Sequence, residues 1–327
     1  MMAPTLPTSC GSLPPEGALR LRPGEAGSAA PAGEEGTITL PTSSGSLPPG
    51  GALRLRPGEA GSAAPAGEEG APKRVASRAE LLAAFDQLLQ PERFKDYGPN
   101  GLQVEGKRDI RKIISGVTAS LALIEAAVAA QADAIFVHHG LFWRGHDGCV
   151  TGWMKRRLAL LLAHDINLYA YHLPLDAHPE LGNNAQLGLQ LGLRAERYFG
   201  DNNLGFLGVR DGQCGGFDTA ENLAAHLGYV LKRPVTLVGT AQSAIKNIAW
   251  CTGGAQGYFE DAIAAGADVF ITGEISEPQA HYAREMGVAF IACGHHASER
   301  YGAPAVAAHV AAELGIAHCF IDIDNPA

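Results

Sequence analysis

Hydrophobic and polar positions along residues 75–327 alternate in a way that predicts helices and strands in turn. After Ser77, apolar residues recur three and four positions apart and predict an amphipathic helix; they are Leu81, Leu82, Phe85, Leu88 and Leu89. Strands are then predicted at 110–117, 134–137 and 166–171, with helices at 119–131 and 153–164 between them. Helices of about a dozen residues between strands favour right-handed crossovers and a mainly parallel sheet.

The second half of this region repeats the pattern of the first. Residues 113–140, IISGVTASLALIEAAVAAQADAIFVHHG, align with residues 247–274, NIAWCTGGAQGYFEDAIAAGADVFITGE. In each segment a strand precedes a helix, and the next strand is ADAIFV or ADVFIT. We therefore predict an α/β fold of two related halves, at about 75–200 and 246–327. A small linking segment at about 201–245 contains the strand-like runs LGFLGV and VTLV.

Residues 1–74 have none of this periodicity. They contain two near-identical copies of one segment, at 5–36 and 39–70, which differ only at Cys10/Ser44 and Glu16/Gly50. Each copy is rich in proline and glycine and carries too little apolar surface to form a core. We predict a disordered, duplicated low-complexity tail at 1–74, or a region upstream of the natural start.

Composition narrows the class of protein. The 327 residues are 46% hydrophobic and carry a formal charge of −9, with no concentrated basic surface of the kind that binds duplex nucleic acid. The six cysteines are scattered without a CxxC pair, which is typical of reduced thiols. Neither an apolar run of about 18 residues nor an apolar signal core is present. We predict a cytoplasmic protein with no membrane partner; a small anionic substrate remains compatible.

Histidines and carboxylates follow the predicted strand ends repeatedly. In open α/β sheets, ligands bind beyond the carboxyl ends of the strands. The residues in such positions are His138, His139, His172, Asp176, Glu274, His295, His296 and Glu299. Imidazole and carboxylate ligands suit Zn, Fe, Mn, Co or Ni, so the pattern predicts a metal site whose ion the sequence leaves open.

The spacing of these residues favours two ions. In the loop beyond its strand, the doublet His138 and His139 can serve two ions about 3.5–4 Å apart, the spacing of two-metal sites. His295 and Glu299 lie four positions apart, so a helix that begins at HHASER presents both on one face. Asp176 is expected in a loop, YHLPLD, that turns its carboxylate inward. Each motif alone is also typical of a surface pair or a connector.

Other polar residues are open to two interpretations. Glu274 is expected to act as a general base or to orient a ligand, while His172 and His296 are expected to orient ligands or contact substrate. His146 and His281 are interpreted as rim residues. Asn100 in GPNGLQVEG is interpreted as part of a tight turn.

Five motifs, in order, resemble the Nif-three-like family, whose members are called GTP cyclohydrolase I type 2 homologues. They are PNGLQVEG (99–106), VHHGLFW (137–143), YHLPLDAHPELGNNAQLG (171–188), TGEISE (272–277) and GHHASER (294–300). The resemblance covers 76–327 and is to the short bacterial form. It implies a dinuclear metal site formed by His138, His139, Asp176, His295 and Glu299. It also implies a ring-shaped homohexamer with the metal sites facing an internal cavity.

Three functions are compatible with these observations. The first is a metal-dependent hydrolase of a nucleotide or related heterocycle; for GTP, a metal-bound hydroxide attacks C8 and formate is lost. The second is a two-metal phosphoesterase, although no Walker-type phosphate loop is present. The third is a metal-stabilised, non-catalytic ring that binds partners.

Overall fold

The computed structural model describes residues 74–212, 217–242 and 244–327. Of the predicted tail at 1–74, all residues but Arg74 lie outside the described part of the chain. Elements of the first part are β1 (Ala76–Ser77), α1 (Arg78–Leu89), β2 (Gly101–Val104), β3 (Asp109–Ile110), β4 (Lys112–Thr118), α2 (Leu121–Ala129), β5 (Ala134–His139), α3 (Gly152–Ala163), β6 (Asn167–Ala170), α4 (Leu173–Ala177) and α5 (Asn183–Leu191). Those that follow are β7 (Leu193–Phe199), β8 (Gly205–Arg210), α6 (Ala220–Leu231), β9 (Thr236–Val238), β10 (Ile248–Trp250), α7 (Phe259–Ala264), β11 (Val269–Thr272), α8 (Glu277–Met286), β12 (Ala289–Ala292), α9 (His295–Glu299), α10 (Gly302–Leu314) and β13 (Ala317–Phe320).

Two larger sheets give the chain a mixed α/β fold. The five-stranded sheet has the order β13-β4-β5-β6-β2, and its first four strands are parallel. The six-stranded sheet has the order β7-β8-β10-β11-β12-β9, and its parallel pairs of neighbouring strands are β10–β11 and β11–β12. The predicted parallel arrangement therefore holds at the centre of each sheet. Three edge strands pair antiparallel with their neighbours: β2 with β6, β9 with β12, and β7 with β8, where the short hairpin connection permits no parallel crossover. The fourth edge strand, β13, pairs parallel with β4.

The first helix forms where its sequence predicts it. Ser77 caps α1: its hydroxyl accepts from the Glu80 N–H, and the Glu80 carboxylate accepts from the Ser77 N–H. The helix buries Leu81, Phe85 and Leu89, and the Phe85 ring stacks on Phe136 of β5 with centroids 4.5 Å apart. This packing fixes the helix against the five-stranded sheet.

Equivalent aspartates hold the first parallel pair of strands in each sheet. Asp133, just before β5, accepts from the backbone N–H groups of Arg111 and Lys112 at 2.6 and 2.9 Å. Asp268, just before β11, accepts from Lys246 and Asn247 at 2.9 and 2.8 Å. The two aspartates are the D of ADAIFV and of ADVFIT. The repeated pattern in the sequence thus corresponds to a repeated set of contacts.

The two larger sheets are not formed by two consecutive stretches of the sequence. Strands β8 and β9 and helix α6, within the predicted linking segment, belong to the six-stranded sheet or pack on it. After α9 the chain returns to the five-stranded sheet, where β13 pairs with β4. Helix α10 buries Val306, Ala307 and Val310 in the same core as Phe85. The C-terminal strand β13 therefore completes the five-stranded sheet, whose other strands, β2, β4, β5 and β6, come from the first part of the described chain.

Local structure at the candidate site differs from the sequence prediction in three ways. His138 and His139 are the last residues of β5 rather than loop residues, because pairing with β4 continues as far as His139. Asp176 lies in the short helix α4, which has Pro174 in its first turn, rather than in a loop. The predicted helix from His295 onward is two helices, α9 and α10, with a break at Arg300–Tyr301.

Among the described residues, no helix combines the length with the apolar character that a membrane crossing requires.

Replacement of Asp133 by alanine should lower the free energy of unfolding by about 2 kcal/mol, because two backbone N–H groups lose their acceptor. Urea unfolding followed by circular dichroism measures this change. Asp109→Ala, at an exposed position, is the matched control and should alter the free energy of unfolding by no more than about 0.5 kcal/mol. Equal effects of the two substitutions would contradict the structural role of Asp133.

Candidate metal centre

Four histidines each direct one ring nitrogen toward a common centre. The other ring nitrogen, Nδ1, is held by a hydrogen bond to a neighbouring group. The Nδ1–H of His138 donates to the Tyr171 carbonyl oxygen at 3.1 Å. His172 Nδ1 bonds the Asp96 carboxylate at 2.7 Å, and His295 Nδ1 bonds the Glu274 carboxylate at 2.7 Å; the corresponding partner of His139 Nδ1 is Thr118 Oγ1, at 3.2 Å. Because carbonyl and carboxylate oxygens only accept, three of these rings carry their proton on Nδ1. Their Nε2 lone pairs are therefore available to a ligand.

Glu299 lies among these Nε2 atoms and is 3% exposed. Its Oε1 is 3.3 Å from His138 Nε2, whereas its Oε2 is 3.3 Å from His139 Nε2 and 3.2 Å from His295 Nε2. Asp176 Oδ1 adds a second carboxylate oxygen, 3.5 Å from His138 Nε2. The two oxygens of Glu299 thus face different sets of ligands.

These atoms form three overlapping groups that could hold a cation. Within the described residues the groups are His138–His139–His172, His139–His295–Glu299 and His138–Asp176–Glu299, with ligand atoms no more than 4.8 Å apart. Ligand atoms that each lie about 2.0–2.2 Å from one cation are roughly 3–3.5 Å from one another. The distances around Glu299 fall in or close to that range.

Unsatisfied buried atoms also fit a cation. His138 Nε2 and Glu299 Oε2 are buried and have no hydrogen-bond partner. Buried polar atoms without partners are rare and costly in folded proteins. Both atoms have lone pairs and face the centre, so a divalent cation satisfies what hydrogen bonds leave unmet.

The pKa shifts of the clustered side chains indicate that the centre favours a positive charge. Burial lowers the pKa of His138, but the carboxylates of Asp176 and Glu299 outweigh burial and raise that pKa to about 9. Burial raises the pKa of Glu299, but His138 and His139 outweigh it and hold that pKa well below its usual range. Burial also lowers the pKa of His139 to about 3, so this imidazole stays neutral. An anionic Glu299 and a neutral His139 are the forms that ligate metals.

Neighbouring polar groups hold the carboxylates in place. Asp176 Oδ1 accepts from Asn183 Nδ2 at 2.8 Å and from the Thr252 hydroxyl at 3.3 Å. Ser298, next to Glu299, accepts from the Gly253 N–H at 3.0 Å. Gly253 has a positive φ of 72°, and a Cβ there would collide with Glu299 Oε1. The close approach of this backbone requires glycine.

The structure brings together most of the residues that the sequence singles out. The predicted ligands His138, His139, Asp176, His295 and Glu299 all lie in the three groups, and His172 joins them. Glu274 contacts His295 directly and is positioned to orient that ring.

His296 lies apart from these groups. Its Nε2 is 3.0 Å from Asp322 Oδ1, and its backbone N–H donates to the Ala327 carbonyl at 3.2 Å. As the residue after His295 in helix α9, it faces the C-terminal segment rather than the centre. The expectation that His296 contacts substrate therefore has no geometric support. His146 and His281 are likewise absent from the described groups, and His281 pairs with Glu277 at 2.7 Å.

Sequence reasoning missed Asp96 and underestimated Asn100. Asp96 accepts from the His172 ring and, at 2.9 Å, from the Leu173 N–H. Asn100 donates to Asp96 at 2.9 Å and accepts from the His172 N–H at 2.7 Å. Both residues lie in an irregular segment without periodicity. Asn100 belongs to the motif PNGLQVEG, and Asp96 lies three positions before that motif, which is the signal that could have pointed to it.

Comparison with known proteins matches this part of the chain. The family model described as Duf34/NIF3 (NGG1p interacting factor 3) matches residues 76–326. A Neisseria meningitidis serogroup A protein named GTP cyclohydrolase 1 type 2 homolog is 50% identical over 250 residues, covering 76% of this chain and 99% of its own. A Pseudomonas aeruginosa protein of the same name is 50% identical over 247 residues, covering 76% and 97%.

Solved structures share the fold. A protein titled ybgI, of unknown function, superposes with a TM-score of 0.73 at 44% identity, covering 77% of this chain and 100% of its own. The protein TTHA1606 from Thermus thermophilus gives a TM-score of 0.68 at 35% identity, with 77% and 100% coverage.

Gly253→Ala should weaken binding of Zn²⁺ by roughly tenfold or more, since the added methyl group displaces Glu299 without removing a ligand. Competition with a chromophoric chelator measures the affinity. Gly257→Ala is the matched control, because a Cβ at that position meets no atom within 4 Å. If Gly253→Ala bound Zn²⁺ as the wild type does, Glu299 would not be a ligand.

Asp322→Ala should weaken Zn²⁺ binding by up to roughly tenfold, because it releases His296 and so loosens helix α9, which carries His295 and Glu299. The same chelator assay applies. Asp324→Ala, at an exposed position in the same segment, should leave the affinity unchanged. An unchanged affinity in Asp322→Ala would show that α9 keeps its place without this contact.

Proposed function

The chain belongs to the Duf34/NIF3 family, and on that premise we propose that it is a hydrolase that uses two divalent cations and acts on a nucleotide or related heterocycle. The observation that carries the proposal is the position of Glu299. One buried carboxylate faces two separate sets of histidine nitrogens, as expected of a carboxylate shared by two cations.

We assign the ligands of the two ions from this geometry. One ion would be held by His138, Asp176 and Glu299 Oε1, and the other by His139, His295 and Glu299 Oε2. The negative charge of the shared carboxylate offsets repulsion between two close cations. The set contains only imidazole and carboxylate, which suits Zn, Fe, Mn, Co or Ni.

The bound ions supply Lewis acidity and lower the pKa of water at the site. The chain provides the groups that move protons and orient the reactants. Glu274 binds His295 through Oε1, and its side chain is 46% exposed, so its other oxygen can accept a proton from a reactant. His172 is held by Asp96 and has its Nε2 free to contact the substrate or an ion. His296 has no part in this proposal, because it faces Asp322.

The names of the relatives suggest which reaction to test. Relatives about half identical to this chain bear the name GTP cyclohydrolase 1 type 2 homolog. We therefore propose hydrolytic opening of a purine imidazole ring as the first reaction to test. One water adds at C8 and the C8–N9 bond breaks, which leaves a formyl group on N7; a second water then breaks the C8–N7 bond and releases formate. The thiol near the centre, Cys251, is buried, and burial raises its pKa well above the usual range, which supports water as the attacking group.

The test is turnover by the metal-loaded full chain. GTP should yield formate, measured with formate dehydrogenase, and metal analysis should find two ions per chain. His138→Ala and Glu299→Gln should reduce formate release at least roughly a hundredfold, because each removes a ligand. Tyr229→Ala is the control and should retain full activity, because Tyr229 is exposed in the last turn of helix α6.

The same assay separates the alternatives. Release of inorganic phosphate without formate would replace ring opening with a two-metal phosphoesterase. Two bound ions with neither product, across a panel of nucleotides, would favour a non-catalytic, metal-stabilised assembly. Absence of bound metal in the wild-type chain would overturn the proposal itself.

A further inference from the structure

An aromatic and cationic surface borders the metal centre on one side. It is formed by Tyr97, Trp143 and Arg144, which we call the aromatic rim. The Trp143 ring meets His172 edge-on with centroids 5.1 Å apart, and it lies 5.9 Å from the His139 ring. Tyr97 is 6.0 Å from the same His172 ring. Trp143 also lines a small cleft together with His138 and His172, so the rim and the ligands share one opening.

Backbone contacts fix the rim rather than leaving it on a free loop. The Arg144 N–H donates to the Tyr97 carbonyl at 2.6 Å, and the Arg144 guanidinium donates to the Asp96 carbonyl at 2.7 Å. Gly98 lies so close to the Phe142 carbonyl that it leaves no room for a Cβ. Asp96 also holds His172, so the rim and one member of the centre are bound to the same residue.

The rim is accessible and carries unbalanced charge. Tyr97 is 60% exposed, an unusual position for a large ring beside a buried polar centre. The Arg144 guanidinium lies 6.0 Å from the centre of the Tyr97 ring. Within the described residues Arg144 forms no ion pair, so its charge remains available to a ligand.

We infer that the aromatic rim binds the substrate of the proposed hydrolase as a planar heterocycle that carries an anionic group. The heterocycle stacks on Tyr97 and Trp143, since every aromatic base offers a face for such stacking. The anionic group, a phosphate or carboxylate, pairs with Arg144 through the guanidinium N–H groups that Asp96 leaves free. This inference rests on the proposed function, because it places the ligand against the same centre.

A second surface of similar chemistry provides an internal control. In helix α3, Arg157 lies over the Trp153 ring at 4.7 Å, and Trp153 is 46% exposed. Trp153 contacts His146 but none of the four histidines of the centre. If binding required only an exposed ring with a nearby cation, this pair would serve as well as the rim.

The experiment measures binding, not turnover, by titration calorimetry on the metal-loaded full chain with GMP, guanosine and ribose 5-phosphate as probes. GMP should bind more tightly than either fragment. Tyr97→Ala and Trp143→Ala should weaken GMP binding by roughly tenfold or more, and Trp143→Phe should restore most of the loss. Arg144→Gln should abolish the advantage of GMP over guanosine while leaving guanosine binding unchanged. Trp153→Ala should change none of these affinities.

Metal content is measured for every variant, which separates a displaced ligand from a lost contact. Equal GMP affinity in the wild type, Tyr97→Ala and Trp143→Ala would overturn the inference. A loss in Trp153→Ala as large as that in Trp143→Ala would also overturn it. Failure of GTP to yield formate would leave these binding results intact, so failure of the proposed reaction and failure of the rim are distinguishable.

Discussion

Burial of the Glu299 carboxylate among imidazoles is the constraint on which the rest of this site depends. An isolated buried carboxylate is strongly unfavourable unless a positive charge or hydrogen bonds compensate it. Here the Nε2 atoms of His138, His139 and His295 lie 3.2–3.3 Å from the carboxylate oxygens. Two of these rings have their proton on the far nitrogen, held there by a carbonyl or carboxylate oxygen. The arrangement therefore needs positive charge at its centre, which a divalent cation can supply.

The fold brings the candidate metal ligands from separate parts of the chain to one place. Strand β5 of the five-stranded sheet provides the histidine doublet, and helix α4, after β6, provides Asp176. Helix α9, which follows β12 of the six-stranded sheet, provides His295 and Glu299. The close approach of the Gly253 backbone and the hydrogen bonds of Asn183 and Ser298 then keep the carboxylates of Asp176 and Glu299 in place. The position of each ligand at the end of a strand thus reflects the general geometry of α/β sheets.

The sequence predicted those helices and strands that have a clear hydrophobic periodicity, and it predicted that the candidate site residues follow strand ends. Helix α1 and strands β4, β5 and β6 fell within a few residues of their predicted places, and family membership followed from the motifs. Features that depend on tertiary contacts were not predictable. Pairing with β4 keeps His139 in a strand, and the return of the chain to β13 places Asp322 opposite His296. Asp96 lies in irregular backbone, where no periodicity distinguishes it from an ordinary surface carboxylate.

The central claim is that Glu299 lies between two cations. Anomalous diffraction from crystals of the metal-loaded protein, recorded on both sides of the absorption edge of the metal, tests it most directly. The account predicts two anomalous peaks, one beside Glu299 Oε1, His138 and Asp176 and the other beside Glu299 Oε2, His139 and His295. Fully occupied metal elsewhere in the molecule, with no anomalous signal next to Glu299, would contradict it.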